Sequence, residues 1–139
     1  MATYTKFNSF VEALAEKVHN LGSDSLKVML CLTAPVATNS VKADLTEISA
    51  GNGYTAGGTA ATISSSAQSS GTYTLTFGDV VFTASGGSIA NFRYAVLYND
   101  TATNDELIGF WDYGSTVTVA SGETFTVDFD ATNGVLQLA

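Results

Sequence analysis

Hydrophobic and polar residues alternate most regularly between residues 88 and 113, in two aromatic-rich runs joined by a polar connection. One side of the first run carries Phe92, Tyr94, Val96 and Tyr98. In the second run Leu107, Gly109, Trp111 and Tyr113 share one face, and Ile108, Phe110 and Asp112 share the other. Since the two-residue period is that of a strand, and both faces of the second run are bulky, the pattern predicts a central β-hairpin covered on both sides.

One segment, Ser9 to Leu21, has the period of an amphipathic helix. Ser9 and Glu12 have the spacing of a capping box, and Gly22 supplies a stop. The apolar stripe consists of Phe10, Leu14 and Val18, with Val11 and Leu21 beside them. Residues 1–22 are therefore predicted to form an N-terminal arm and helix, which packs on the protein's own sheet edge or open end, or in a groove of another subunit.

Shorter alternating runs predict the remaining strands. They are Leu26–Thr33, a weak strand at 59–64, the runs at 73–77 and 80–84, Ser115–Ala120, Glu123–Phe129 and Val135–Leu138. Pro35 ends the first of these, and residues 42–48 allow one helical turn in a crossover. About eight short strands with turns every eight to twelve residues predict an all-β fold, a two-sheet antiparallel sandwich of the jelly-roll type, in one domain spanning residues 1–139.

The inward positions change parity at Gly78-Asp79. Tyr73, Leu75 and Phe77 are odd-numbered, whereas Val80, Phe82 and Ala84 are even-numbered. A bulge or a strand corner produces such a slip, and a tight hairpin at the same dipeptide is the alternative.

Residues 49–72 form a low-complexity segment of Gly, Ala, Ser and Thr around one aromatic residue, Tyr54. Such a segment buries little apolar surface, so it is predicted to be a long, mobile or edge-like loop that a partner orders. The glycines at 51–58 lack the spacing and the following helix of a dinucleotide-binding loop.

Composition and charge exclude several classes of partner. The net charge is −8, from 13 acidic and five scattered basic residues, so no cationic stripe exists for nucleic acid or an anionic membrane. Residues 1–8 lack the apolar core of a signal peptide, which predicts synthesis in the cytoplasm. The single cysteine, Cys31, is expected to be a buried strand residue without a disulfide.

Candidate chemistry is sparse, and neither an enzyme nor a cofactor is predicted. The only histidine, His19, is expected to be solvated near the helix C-terminus, without the partners of a catalytic triad or a metal site. Residues 128–134 bear a trace of a calcium loop but lack its closing Glu. Asp112 lies in an apolar strand and is expected to have a buried partner, for which the only arginine, Arg93, is the candidate.

Four aromatic residues, Tyr94, Tyr98, Trp111 and Tyr113, offer two interpretations. They form two same-face pairs, which a sandwich core requires. Exposed, they would instead form a platform for a sugar ring. A carbohydrate-binding jelly roll for host recognition is therefore the alternative function.

Several sequence motifs resemble those of small virion proteins of tailed bacteriophages. They are NGYTAGG at 52–58, FRYAVLYND at 92–100 and LIGFWDYG at 107–114, behind a helix ending in VHNLG. More narrowly, the chain is similar to the jelly-roll cement, or decoration, proteins on the outside of short-tailed phage heads.

That resemblance implies a structural function without catalytic residues. The chain would bind the outer surface of the capsid in the virion, associate with its own copies as a dimer or trimer, and clamp neighbouring major capsid protein subunits. Contacts with the shell are expected in the N-terminal arm and in residues 49–72. The candidate partner-binding residues there are Phe10, Leu14, Val18, Tyr54 and Ile63.

Overall fold

Strands dominate the computed structural model, which describes residues 2–139. The ten strands found there are β1 (Thr3–Lys6), β2 (Leu26–Cys31), β3 (Thr59–Ala61), β4 (Ile63–Ser69), β5 (Thr72–Phe77), β6 (Val80–Thr83), β7 (Ile89–Asn99), β8 (Leu107–Val119), β9 (Thr124–Val127) and β10 (Leu136–Leu138). One helix, α1, spans Ser9–Ala15, and the predicted single helical turn is a 3-10 turn at Lys42–Asp44. The all-β prediction is confirmed, with ten strands in place of about eight.

The predicted central hairpin is the middle of the largest sheet. This antiparallel sheet has the order β1-β8-β7-β2-β3. β8 runs on without a break through the segment that was predicted as a separate strand at 115–120. Both of its neighbours, β1 and β7, are therefore held by one long strand.

Bulges move some side chains of the hairpin to the face opposite to the predicted one. The β7–β8 register shifts between Phe92 and Tyr94, so Phe92 joins the core on one face while Tyr94 joins the core on the other. A second shift, opposite Leu97 and Tyr98, places Leu107 on the Tyr94 face and Trp111 on the Phe92 face. An extra residue in one strand inverts the alternation beyond it, which explains the error in the predicted parity.

Two smaller sheets, β10-β5-β4 and β6-β9, form the second layer of the sandwich. Side chains from both pack into one core against β2, β7 and β8, as Leu75, Phe82 and Val127 do. Gly78-Asp79 lies where the chain passes from β5 in one small sheet to β6 in the other. The predicted strand corner is confirmed, and the alternative of a tight hairpin is wrong.

A second, smaller core covers the other face of the five-stranded sheet. Its members are Phe7, Met29, Cys31, Tyr94, Val96, Tyr98, Leu107 and Phe110, with Leu45 packed against them. Because both faces of β2, β7 and the start of β8 are covered, their sequences are hydrophobic at nearly every position.

The N-terminal helix is shorter than predicted. It ends at Ala15, and Lys17 follows in the left-handed region with φ 68°. Its N-cap residue is Asn8, with no side-chain capping bond, so the predicted capping box at Ser9 is absent. Val11, predicted to lie in the apolar stripe, is 53% exposed. A seven-residue helix of this kind is held by the burial of Phe10 rather than by its ends.

The segment predicted as a long loop at 49–72 contains β3 and the whole of β4. Its glycine-rich start is a tight turn in which Gly51 and Tyr54 exchange backbone hydrogen bonds. Gly58 follows with φ +80°, and a Cβ there would overlap the carbonyl of Val28. Glycine is therefore required where this segment approaches β2.

Candidate functional site

An apolar groove of about 570 Å³ lies between the N-terminal helix and the β10-β5-β4 sheet. Its apolar walls are formed by Leu14, Val18, Leu21, Tyr73 and Leu138. Leu138 and Tyr73 are paired across β10 and β5, so they lie side by side at the end of that sheet. Leu21 belongs to the sandwich core and Leu14 and Tyr73 pack against it, so the groove opens onto the edge of that core.

The chain reversal after α1 shapes the helical wall of the groove. Val18 donates its backbone N–H to the Ala13 carbonyl at 2.9 Å, which closes a wide turn after the helix. Beyond that turn, Leu21 is buried and Val18 is half-buried. The predicted helix to Leu21 is thus replaced by a turn that directs Val18 into the groove and His19 towards the protein interior.

Behind this wall, His19 is buried rather than solvated, which corrects the prediction. Asn99 donates one Nδ2 hydrogen to His19 Nδ1 at 3.0 Å and the other to Asp24 Oδ2 at 2.6 Å. Since Nδ1 accepts, the proton of the neutral ring is assigned to Nε2, which has no partner among the described residues. Desolvation lowers the pKa of His19 below its ordinary value, although Glu106 and Asp24 act in the opposite direction.

The five candidate partner-binding residues do not form one surface. Leu14 and Val18 line the groove, and both are half-buried. Phe10 is buried in the core, with its ring 5.3 Å from that of His19, and its assignment as a contact residue stays a prediction. Ile63 is half-buried at the start of β4 and packs on the core, away from the groove.

Tyr54 is also a core residue, and its assignment as a partner contact stays a prediction. Its hydroxyl accepts the Leu30 N–H at 3.0 Å and donates to Glu47 Oε1 at 2.6 Å. The same Glu47 oxygen accepts the Gly57 N–H at 2.6 Å. Burial raises the pKa of Tyr54, as does the hydrogen bond to Glu47, so the hydroxyl remains protonated. Residues 49–58 are therefore anchored by a polar network that composition did not reveal.

The predicted pair of Arg93 and Asp112 is confirmed. Arg93 donates from Nε to Oδ1 at 2.7 Å and from Nη2 to Oδ2 at 3.0 Å, in a bidentate arrangement. The hydrogen bonds from Arg93 lower the pKa of Asp112, as does the Gly114 N–H. Both side chains are about one-third exposed, at 37% and 31%, so the pair orders the bulged region of the hairpin at the surface.

The four aromatic residues divide between the two cores. Tyr94 and Tyr98 are buried, and Tyr98 donates to the Gly57 carbonyl at 2.7 Å. Trp111 and Tyr113 are half-buried, each edge-to-face with a phenylalanine of the opposite layer. The core interpretation fits all four, and Trp111 also borders a surface cleft.

That cleft, of about 260 Å³, lies between Trp111 and Tyr4 on one side and the turn after β9 on the other. Asp128 and Asp130 supply its carboxylates. Asp130 accepts hydrogen bonds from the backbone N–H and the side-chain amide of Asn133 and from the backbone N–H of Thr132, and these bonds lower its pKa. Its oxygens are used within their own turn, in keeping with a solvated turn acid rather than a calcium ligand.

In the described part of the chain, residues 2–139, no three His, Cys, Asp or Glu side chains are placed to share a metal ion. Across the same residues, no helix has the length and hydropathy of a membrane span. Burial raises the pKa of the Cys31 thiol to about 12, which suits a structural cysteine.

Comparisons with known proteins return no relative. Neither the protein-family models, nor the curated proteins, nor the solved structures include a significant match to this chain.

Two residues of the site were not identified from the sequence. Asn99 joins His19 to Asp24, but in the sequence it begins the polar connection of the hairpin, where Asn is a common turn residue. Leu138, at the chain end, forms a groove wall through its pairing with Tyr73. For Leu138 the alternation in β5 was a usable signal. Tyr73 and Leu75 were both predicted to face inward, and Leu138 pairs with Tyr73.

Proposed function

We propose that this chain is a structural protein of a bacteriophage virion, a cement or decoration protein on the outside of the head. In this function it binds neighbouring major capsid protein subunits and stabilises their contacts. It is made in the host cytoplasm and needs no catalytic residue and no cofactor. The motifs at 52–58, 92–100 and 107–114 support the proposal through their resemblance to such proteins.

The observation that carries the proposal is the uncovered groove beside α1. Leu138 is 54% exposed there, and Leu14 and Val18 present further apolar surface. A bridging protein buries such a surface on its partner. Each contact of this size is weak, but many copies on one shell bind with high avidity because neighbouring sites are engaged together.

Binding to the shell is tested with purified chain and expanded phage capsids that lack it. The capsids are sedimented and the bound chain is measured at increasing concentration. Leu138→Asp introduces a charge into the groove and is expected to weaken binding at least about tenfold, a free-energy loss of about 1.4 kcal/mol. Val36→Asp is the matched control, because Val36 is 53% exposed and does not line the groove.

Two results would contradict the proposal. One is equal binding of both variants and the unmodified chain, because the groove would then not be the contact surface. The other is cryo-microscopy of virions that places this chain in the tail or finds none in the particle. Mass and stoichiometry of the chain in purified particles give an independent check.

Carbohydrate binding is the second candidate, and the cleft beside Trp111 is the observation that favours it. An aromatic ring next to carboxylates, as with Trp111, Tyr4 and Asp128, matches the apolar face and hydroxyl groups of a sugar. Tyr98, another of the four candidates for a platform, is completely buried and unsuited to it. Saturable binding on a glycan array that both Trp111→Ala and Asp128→Asn abolish, with the fold retained, would support this function over the first.

A further inference from the structure

Strand β4 is an unusually long free edge. It is bonded to β5 on one side only. It has seven residues, whereas the other edge strands within residues 2–139, β1, β3, β6, β9 and β10, have four or fewer. All of its residues are exposed except Ile63 and Ser66, which are half-buried. A row of backbone N–H and C=O groups therefore faces solvent along β4.

From Ser65 to Ser69 this edge carries none of the usual protection against strand pairing. Natural proteins guard edges with lysine, proline, inward-pointing charges or bulges. The sequence of β4, ISSSAQS, has no charged residue and no proline. Its one irregularity lies between Ile63 and Ser65, so the edge from Ser65 to Ser69 is regular.

The turn that follows β4 fixes which groups point outward. Ser70 and Gly71 have φ of 50° and 84°, which are the signs of a two-residue hairpin turn between Ser69 and Thr72. In such a hairpin the closing pair is hydrogen-bonded, and the bonding direction then alternates along the strand. By this alternation Ser66 and Gln68 direct their backbone N–H and C=O groups away from β5.

Charge indicates what can approach this edge. The chain has a net charge of −8, yet it has no charged residue between Glu47 and Asp79. Two copies repel each other where their acidic surfaces meet, but not along β4. A charged partner gains no electrostatic attraction from this uncharged edge. A second copy of the chain can instead present its own β4, which is equally uncharged.

We infer that β4 pairs antiparallel with β4 of a second copy of this chain. A two-fold axis near Ala67 brings Ser66 of one copy opposite Gln68 of the other, and the reverse, so the outward groups of both strands are satisfied. The small Ala67 side chains meet near the axis. The two three-stranded sheets then form one six-stranded sheet, and association closes at a dimer because each copy has used its edge.

The dimer is weak in free solution. Pairing through about five residues buries less than the ~1,000 Å² that stable interfaces usually need. The expected dissociation constant is therefore on the order of micromolar to millimolar. Attachment of both copies to one surface would strengthen the contact through high local concentration.

This inference extends the proposed function by naming the surface through which copies meet. Its test uses the purified chain without capsids, so its failure is distinguishable from failure to bind a shell. Sedimentation measures the mass from about 5 µM to about 1 mM, a range that spans the expected dissociation constant. The mass should rise with concentration from the 14.4 kDa monomer towards twice that value.

Ala67→Lys places like charges opposite each other near the axis and is expected to weaken the dimer at least about tenfold. Thr126→Lys is the matched control, since Thr126 is exposed on another edge strand, β9, and the net charge changes equally. Amide exchange of the unmodified chain is a second readout, in which protection of Ser66 and Gln68 should increase with concentration. A monomer throughout, or a dimer that Ala67→Lys leaves intact, would overturn the inference.

Discussion

The hydroxyl of Tyr54 takes the place of a strand partner for β2, which makes its removal an informative perturbation. β3 pairs with β2 only as far as Val28, and beyond that point the Leu30 N–H is bonded to Tyr54. In Tyr54→Phe this buried donor has no partner, and Glu47 loses one of its two donors. The ring itself remains, so its packing beside Phe82 is retained.

The expected loss follows from the burial of that N–H group. A buried donor left without a partner costs about 1–3 kcal/mol, so we expect Tyr54→Phe to reduce the free energy of unfolding by about 2 kcal/mol. That is a large share of the roughly 5–15 kcal/mol that stabilises a typical domain. With a urea m-value of about 1–3 kcal/mol/M, the midpoint falls by about 1 M.

Urea unfolding of Tyr54→Phe and Tyr73→Phe provides the test with a matched control. The Tyr73 hydroxyl pairs with Ser66 Oγ at 2.9 Å beside the open groove, where water can replace it. Its removal should therefore cost less than about 1 kcal/mol. Equal losses in the two variants would refute the argument that Tyr54 anchors residues 49–58 to β2.

Three further changes test other parts of the structure. Gly58→Ala should lower the free energy of unfolding by more than about 2 kcal/mol, because the added Cβ overlaps the Val28 carbonyl. Gly114 also has a positive φ but has open space around it, so Gly114→Ala should lower this free energy by only about 1 kcal/mol. Urea unfolding of both variants measures the difference. The pKa of His19 is lower in the folded than in the unfolded chain, so its contribution to stability is complete above about pH 6.5 and is lost as the pH falls through the folded pKa. Between about pH 7.5 and about pH 5.5, the unfolding midpoint of His19→Gln should therefore fall less than that of the unmodified chain. An equal fall in both proteins would contradict this. The buried Cys31 thiol, with a pKa of about 12, should react with a thiol reagent at neutral pH only at the rate of unfolding, and rapid labelling of the native protein would show the assignment to be wrong.

The sequence predicted the fold class and the central hairpin, because long runs with a two-residue period are a strong local signal. It did not predict the faces of Phe92 and Trp111, because bulges invert the alternation and leave no mark in the pattern. Gly78-Asp79 was the exception, since the change of parity between the alternating runs at 73–77 and 80–84 is visible in the sequence itself.

The prediction for residues 49–72 relied on composition, which does not indicate strand β4. Ser and Ala in β4 have little preference for strands, and β4 forms because β5, with Tyr73 and Leu75, pairs with it. The Ser70-Gly71 turn between the two was an available local signal. Similarly, the buried hydrogen bond of His19 is made to Asn99, eighty residues away along the chain, which no local pattern around His19 indicates.

The pairing of β1 with β8 has a consequence for synthesis. Thr3 pairs with Asp112, so the first strand cannot be seated until more than one hundred further residues have been made. At about 5–20 residues per second, this delay lasts roughly 5–20 s. Through that interval β1 of the ribosome-bound chain is unpaired, and the largest sheet is completed only after β8 has been made.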